Sequence, residues 1–240
     1  MNLVIKQVVI FFSCLLLISC ASQQTEKQAT NTGQVFIFAE TPAGGTASNV
    51  RIYINKNFMR IDDGSTPDDF ILFDRKNGVI NSVVAEGKTI FVIKKRKIAV
   101  ESPIKIEYTH TKQASSAMTK RHNGLKAFHY KFSANGKSCY NVLAVKDYMP
   151  EAVEAFKEFR AVMAGEHSKT MSNIPGEEYD ACDLAFNVFE STQHLQYGFP
   201  VREWDDKGYQ RFLAKAKDNI PPPEGYLELP EGYRTYSINE

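Results

Sequence analysis

Phe58-Met59-Arg60-Ile61-Asp62, Phe70-Ile71-Leu72-Phe73-Asp74, Val79-Ile80-Asn81-Ser82-Val83-Val84 and Lys88-Thr89-Ile90-Phe91-Val92-Ile93 follow one another closely, joined by Asp63-Gly64, Asn77-Gly78 and Glu86-Gly87. Each run is the length of a strand, and the connections are too short to hold a crossover helix. Neighbouring runs must therefore pair as antiparallel hairpins. Asn77-Gly78 reads as a tight two-residue turn, because both residues tolerate positive φ. Upstream, Gln34 to Ala39 and Asn49 to Ile54 extend the meander. Several strands carry apolar residues on both faces, such as Phe70 and Leu72 against Ile71 and Phe73, so each face of the sheet needs a cover.

Downstream, Pro103 to Tyr108 reads as a further strand, and the polar stretch from Thr109 to Gly124 as a loop or weak helix. A second strand group is expected at Lys126 to Phe132 and Ser138 to Val145, turned at Asn135-Gly136. The helical signal is strongest from Pro150. Ala152, Phe156, Phe159 and Met163 recur at helical spacing, Glu151 and Glu154 suit the positive end, and Gly165 is the expected stop. Asp180 to Phe189 fits either a helix or an aromatic strand. His194 to Trp204 reads as an ordered loop, and Gly208 to Lys217 as a short helix with Tyr209, Phe212 and Leu213 inward. Pro221-Pro222-Pro223 is extended, and the tail ends in a strand at Arg234 to Ile238. The expected class is α+β: a curved antiparallel sheet, an unclosed barrel, covered by one long and one or two short helices.

The amino terminus carries a different message. Lys6 precedes the apolar run Val8 to Ile18, which is shorter than the roughly 20 residues that a membrane-spanning helix needs and reads as an export signal. It stops at Leu17-Ile18-Ser19-Cys20-Ala21, which resembles the lipobox of bacterial lipoproteins. That resemblance implies cleavage before Cys20, acylation of its thiol, and a membrane partner held through lipid. Ala21 is not the aspartate that favours retention in the inner membrane, so the expected location is the periplasmic face of the outer membrane. Residues 1–19 are then the signal peptide, 20–32 a flexible tether, and 33–240 one domain.

Lys and Arg number 29 against 28 Asp and Glu, giving a net charge of +1. Loss of Lys6 with the signal brings the balance to zero, which supports neither nucleic-acid binding nor a polybasic membrane contact. Of the four cysteines, Cys14 leaves with the signal and Cys20 carries lipid. Cys139 and Cys182 remain as an even pair in an oxidising compartment. A disulfide between them is expected, stabilising the fold by about 2 to 4 kcal/mol.

The segment from Phe58 to Ile93 resembles the sheet core of the superfamily that includes the periplasmic lipoprotein chaperone and its outer-membrane lipoprotein receptor. The shared pattern is an Arg-x-Asp strand, then strand, Asp, turn and strand. The resemblance implies a curved sheet plugged by helices over an apolar cavity, and binding of acyl chains or a lipidated partner without chemistry. Phe58, Ile71, Phe73, Phe91, Ile93, Phe156 and Phe159 are the residues expected to border the core or cavity. The second half, through Pro150-Glu151-Ala152-Val153, Cys182-Asp183-Leu184-Ala185 and Gly198-Phe199-Pro200, resembles an uncharacterised proteobacterial family with no activity to carry over.

Signs of catalysis are sparse. His110, His122, His129, His167 and His194 are scattered, without a His-x-x-x-His pair, so no metal site and no cofactor is expected. The carboxylate groups at Asp62-Asp63, Asp68-Asp69, Glu177-Glu178, Asp180, Asp183 and Asp205-Asp206 carry no sugar-hydrolase signature, and no Gly-x-Ser-x-Gly elbow is present. Ala43-Gly44-Gly45 is a turn, and Trp204 a core or cavity-rim residue. Three readings stay open: a protein that binds a hydrophobic ligand, an envelope-assembly module with a filled core, and a hydrolase in which a histidine and carboxylates converge.

Overall fold

A computed structural model describes residues 32–64, 69–113, 121–122, 124–171 and 179–237. The expected signal peptide, Cys20, nearly all of the expected tether, Asp68 and Glu177-Glu178 lie outside them. Thirteen strands form one sheet: β1 (Gly33–Thr41), β2 (Ser48–Ile54), β3 (Phe58–Asp62), β4 (Phe70–Asp74), β5 (Val79–Val84), β6 (Thr89–Lys94), β7 (Tyr108–Lys112), β8 (Arg121–His122), β9 (Leu125–Ala134), β10 (Lys137–Val145), β11 (Phe199–Trp204), β12 (Gln210–Ile220) and β13 (Arg234–Ser237). The order across the sheet is β13-β6-β5-β4-β3-β2-β1-β12-β11-β10-β9-β7, with β8 paired to β9. Every pairing is antiparallel except β13 with β6, which is parallel. The two ends of the order do not meet, so the barrel stays open.

The meander from β1 to β6 follows the sequence expectation, and one turn inside it does not. Asp74 pairs with Val79, so the connection holds four residues, and of Asn77 and Gly78 only Gly78 has positive φ (63°). The carboxylate of Asp74 accepts the Asn77 amide at 3.0 Å and fixes that longer loop. The two-residue turn is at Asn135-Gly136, where Ala134 pairs with Lys137 and both turn residues have positive φ, 50° and 76°.

The inner face carries Phe36, Phe38, Ile52, Ile54, Met59, Phe73 and Ile80, packed under helix α1 (Pro150–Met171). Ala152, Ala155, Phe156 and Val162 form the helix's buried side. Arg75, in the β4–β5 loop, holds Glu158 at 2.7 Å and donates to the Asn55 carbonyl at 2.7 Å, tying helix to sheet. The helix runs six residues past Gly165, the expected stop. Arg96 explains that glycine: a Cβ there would sit 2.8 Å from the Arg96 carbonyl oxygen. Gly165 thus admits the chain leaving β6 against the helix, and Arg96, within the basic run Lys94 to Lys97, lies 3.9 Å from Glu166.

The outer face of β2 to β6 is covered by the tail. Tyr226 packs edge-on against Tyr53 at 5.7 Å, and the Arg60 guanidinium lies over the rings of Phe70 (3.5 Å) and Tyr226 (4.3 Å). Beyond this strap the chain enters β13.

A short helix, α2 (Ala181–Leu184), continues into a π-helical turn at Ala185–Phe189. Asp180 caps α2 by accepting the Cys182 amide at 2.8 Å. The Cys139–Cys182 disulfide is formed and fixes α2 to β10. Three expectations are corrected here. The loop expected from His194 is a 3-10 turn (Gln193–Tyr197) followed by β11. The helix expected at Gly208 to Lys217 is the long strand β12. The strand expected at Pro103 to Tyr108 starts at Tyr108 instead, as β7.

Candidate functional site

Cross-strand register gathers charge on the inner face. Arg211 of β12 stands opposite Glu40 of β1 on one side and Glu203 of β11 on the other. Around this row come Tyr140 from β10, His194 from the 3-10 turn, Arg160 from α1, and Tyr209 just before β12. Glu203 and His194 are buried, at 4% and 2% exposure. The Tyr140 hydroxyl donates to Glu203 Oε1 at 2.8 Å, and His194 Nε2 lies 3.8 Å from the same oxygen. Arg160 is held by carbonyls, donating to Ser191 at 2.5 Å and Phe186 at 2.8 Å.

Arg211 is less well served. Its Nη1 is 3.6 Å from Glu203 Oε2 and its Nε 3.8 Å from Glu40 Oε2, ion-pair distances too long for hydrogen bonds. Nε and Nη2 of Arg211, and Nδ1 of His194, are buried without a hydrogen-bond partner. The Arg211 guanidinium rests on the Phe38 ring at 3.9 Å.

These groups border a cleft of about 130 Å³ whose opposite wall is apolar: Ile52, Met59, Ile61, Phe156, Phe159, Leu195 and Pro200. A second cleft of about 330 Å³ shares Tyr140, Arg160 and Tyr209 with it and runs out past the disulfide between Lys137, Asp183, Asp205, Asp206 and Lys207.

The electrostatics follow from burial. Desolvation, helped by the nearby Arg160 and Arg211 charges, pushes the His194 pKa well below its ordinary value, so the imidazole is neutral at pH 7. Burial and the Glu203 carboxylate push the Tyr140 and Tyr209 hydroxyls up. Burial opposes the Arg211 charge, and Glu203, Tyr209 and Glu40 outweigh it, holding that pKa above its ordinary value. The site is therefore an arginine fork flanked by two carboxylates, with a neutral imidazole and two protonated phenols, beside an apolar wall.

The seven residues expected to border a core or cavity divide. Phe73, Ile93 and Phe156 belong to the inner core, with Ile71 and Phe159 partly buried against it. Phe156 and Phe159 also line the cleft. The register puts Phe58 on the outer face with Arg60, away from the cleft. Phe91 is 38% exposed at the sheet margin, stacked on Tyr236 at 6.0 Å. Trp204 faces outward beside His129. Glu40, Tyr140, Arg160, Glu203 and Arg211 carry no expectation from the sequence, and Tyr209 is expected only as an inward residue of a helix. Their signal is the alternation Tyr209-x-Arg211-x-Leu213, with a charged residue in an inward position, and it is visible only once the segment is read as a strand. Among the described residues no group of three or more His, Cys, Asp or Glu is placed to hold a metal ion. No described helix is long and apolar enough to cross a membrane.

No family model matches the chain, and no curated protein matches it. Among solved structures it is similar to an uncharacterised conserved protein from Thermus thermophilus, with TM-score 0.42 and 8% identity over 90% of this chain and 96% of that one. It is also similar to PNGF-II, with TM-score 0.43 and 9% identity over 86% of this chain and 31% of the other, so it spans about a third of PNGF-II's length.

Proposed function

We propose that this chain is a lipid-anchored protein of the bacterial envelope, held through Cys20 at the periplasmic face of the outer membrane, that binds a small molecule with an apolar body and an oxygen-rich head. One observation carries the binding reading: two buried guanidinium nitrogens, Arg211 Nε and Nη2, lack partners at the polar end of a half-apolar cleft. A buried donor left unmet costs about 1 to 3 kcal/mol, so a guest that supplies acceptors is favoured. A carboxylate suits the guanidinium fork best, because its two oxygens can accept in parallel. A volume of about 130 Å³ limits the body to roughly the size of benzene, near six carbons. The lipid-sized ligand that the carrier resemblance implies is thereby narrowed to a short amphiphile.

Calorimetric titration with straight-chain carboxylates of four to twelve carbons, and with the matching alcohols, tests this. Carboxylates near six carbons should bind, alcohols should bind at least tenfold more weakly, and Arg211→Met should abolish the difference. Equal binding of acids and alcohols overturns the reading. Palmitate labelling that is lost in Cys20→Ser tests the anchor separately.

A specific observation also favours a second reading, in which a neutral imidazole beside a carboxylate in a cleft acts as a general base. The residues lining the smaller cleft include no serine, threonine or cysteine, so water would be the nucleophile in hydrolysis of an ester of the same short acids. Turnover of nitrophenyl esters by the protein, absent in His194→Gln, would establish it; no turnover above background removes it.

A further inference from the structure

The outer face has two halves. The tail covers β2 to β6, and the strip from β1 across β12, β11, β10 and β9 is a different surface. Register places Ile37, Phe212, Lys215, Lys217, Arg202, Trp204, His129 and Lys131 on that side. Ring contacts agree: His129 packs tilted against Trp204 at 5.0 Å, and the Arg202 guanidinium lies 5.0 Å from the same ring. Phe212 is 51% exposed, and Lys215 and Lys217 are exposed beside it. The charged residues that face this side within the paired register are Lys131, Arg202, Lys215 and Lys217, all basic. Asp218, next along β12, turns its carboxylate onto the Asn219 amide at 2.8 Å.

We infer that this aromatic and basic strip is a membrane-docking surface for anionic phospholipid head groups, with Phe212 and Trp204 at the interface and the four cations around them. Two observations select a bilayer as the occupant. The first is charge complementarity joined to aromatic placement: Trp sits at head-group depth and Lys or Arg meets phosphate. The second is reach. Twelve residues lie between Cys20 and Gly33, thirteen chain steps that span at most about 45 Å, and β1 enters the sheet beside β12. The distance along β1 from Gly33 to Ala39, which pairs with Phe212, is about 20 Å. A chain acylated at Cys20 can therefore bring this face to the leaflet, and docking there turns the opposite, inner face with its cleft to the periplasm. The orientation rests on the proposed anchor; the surface chemistry does not.

Trp204 is the sole tryptophan and serves as a built-in reporter. The chain from Ala21 onward, which keeps every described element, is mixed with vesicles of phosphatidylcholine alone or with phosphatidylglycerol at a third of the lipid. Expected are sedimentation with the anionic vesicles only, a blue shift of Trp204 emission, and quenching by bromine-labelled acyl chains. Lys215→Glu with Lys217→Glu should lower partitioning by at least about 25-fold, taking about fivefold for each charge removed. Phe212→Ser should weaken it with folding unchanged by circular dichroism. Partitioning that ignores lipid charge, survives the double reversal, or leaves Trp204 unquenched overturns the inference. Because this protein lacks the acyl group, a failed palmitate label would leave the vesicle result standing.

Discussion

Two clusters of arginine, carboxylate and tyrosine are buried in this sheet, one on each face, and they differ in how fully their hydrogen bonds are met. On the outer face Asp62, whose side chain is wholly buried, accepts from Arg51 at 2.7 Å, Arg60 at 3.1 Å and the Tyr226 hydroxyl at 2.9 Å, while Arg60 also donates to the Tyr226 carbonyl at 2.8 Å. On the inner face Arg211 sits between Glu40 and Glu203 at distances that close no hydrogen bond, beside an imidazole with an idle nitrogen. Similar composition thus yields two behaviours. The saturated cluster acts as a lock for the tail, and the unsaturated one is the group that the proposed binding would use. A buried polar group is structural when its partners are all internal and a candidate for function when they are missing.

The sharpest way to break this contrast is Asp62→Ala. It leaves Arg60, with a side chain only 4% exposed, without its anion, and should destabilise the fold by about 3 to 5 kcal/mol in urea unfolding. A loss under about 1 kcal/mol would mean that the outer cluster locks nothing. Tyr226→Phe removes one bond to a charged acceptor and should cost about 1.5 to 3 kcal/mol, with faster amide exchange in β13 as the sign that the strap has loosened. The Tyr226 hydroxyl, raised to about 12 by burial and by Asp62, stays protonated throughout such work.

Acid pH separates the clusters next. His194 has a folded pKa well below 6.5, so below that pH the unfolded chain takes up a proton that the folded one refuses. Stability should therefore fall as pH drops below 6.5, by about 1.4 kcal/mol per unit from this group alone. Asp62 behaves differently in window: burial opposes its charge, but hydrogen bonds from Arg51, Arg60 and Tyr226 lower its pKa. Its contribution is intact above pH 3.8 and lost only as pH falls through its lower folded value. In His194→Phe the slope between about pH 6.5 and 5 should flatten, and a slope equal to the native one refutes the assignment. The same variant gives the smallest expected change at pH 7, within about 1 kcal/mol of the native protein or more stable, because an apolar ring replaces an unmet nitrogen beside Phe186 and Tyr140.

The saturated half was the legible half. Arg60 and Asp62 stand two apart in a strand whose alternation is plain, and its neighbours follow at hairpin spacing. The Cys139–Cys182 bridge needed only a count of cysteines and the expectation of an oxidising compartment. The inner cluster was hidden by a spacing. Tyr209, Phe212 and Leu213 stand three and four residues apart, which imitates a helix face and made β12 read as one. In the sheet Phe212 and Leu213 face opposite sides, as their partners Ala39 and Phe38 require. Once β12 is taken for a helix, Arg211 has no opposite numbers, and Glu40 and Glu203 look like surface charges. The outer strip was hidden by averaging, because a chain balanced overall can still sort its cations to one side. Gly165 misled for a plainer reason: its lack of a side chain serves the close approach of Arg96 and not a helix end.

The pairing of Gly33 with Ile220 sets an order of events. Strands β1 to β6 can zip from local hairpins as they emerge, whereas β12, which brings Arg211 between its two carboxylates, is synthesised long after them. Closing so long a loop is slow and entropically costly. The cleft therefore matures after the scaffold, and a chain stalled short of residue 210 would leave the edge of β1 that β12 covers unpaired.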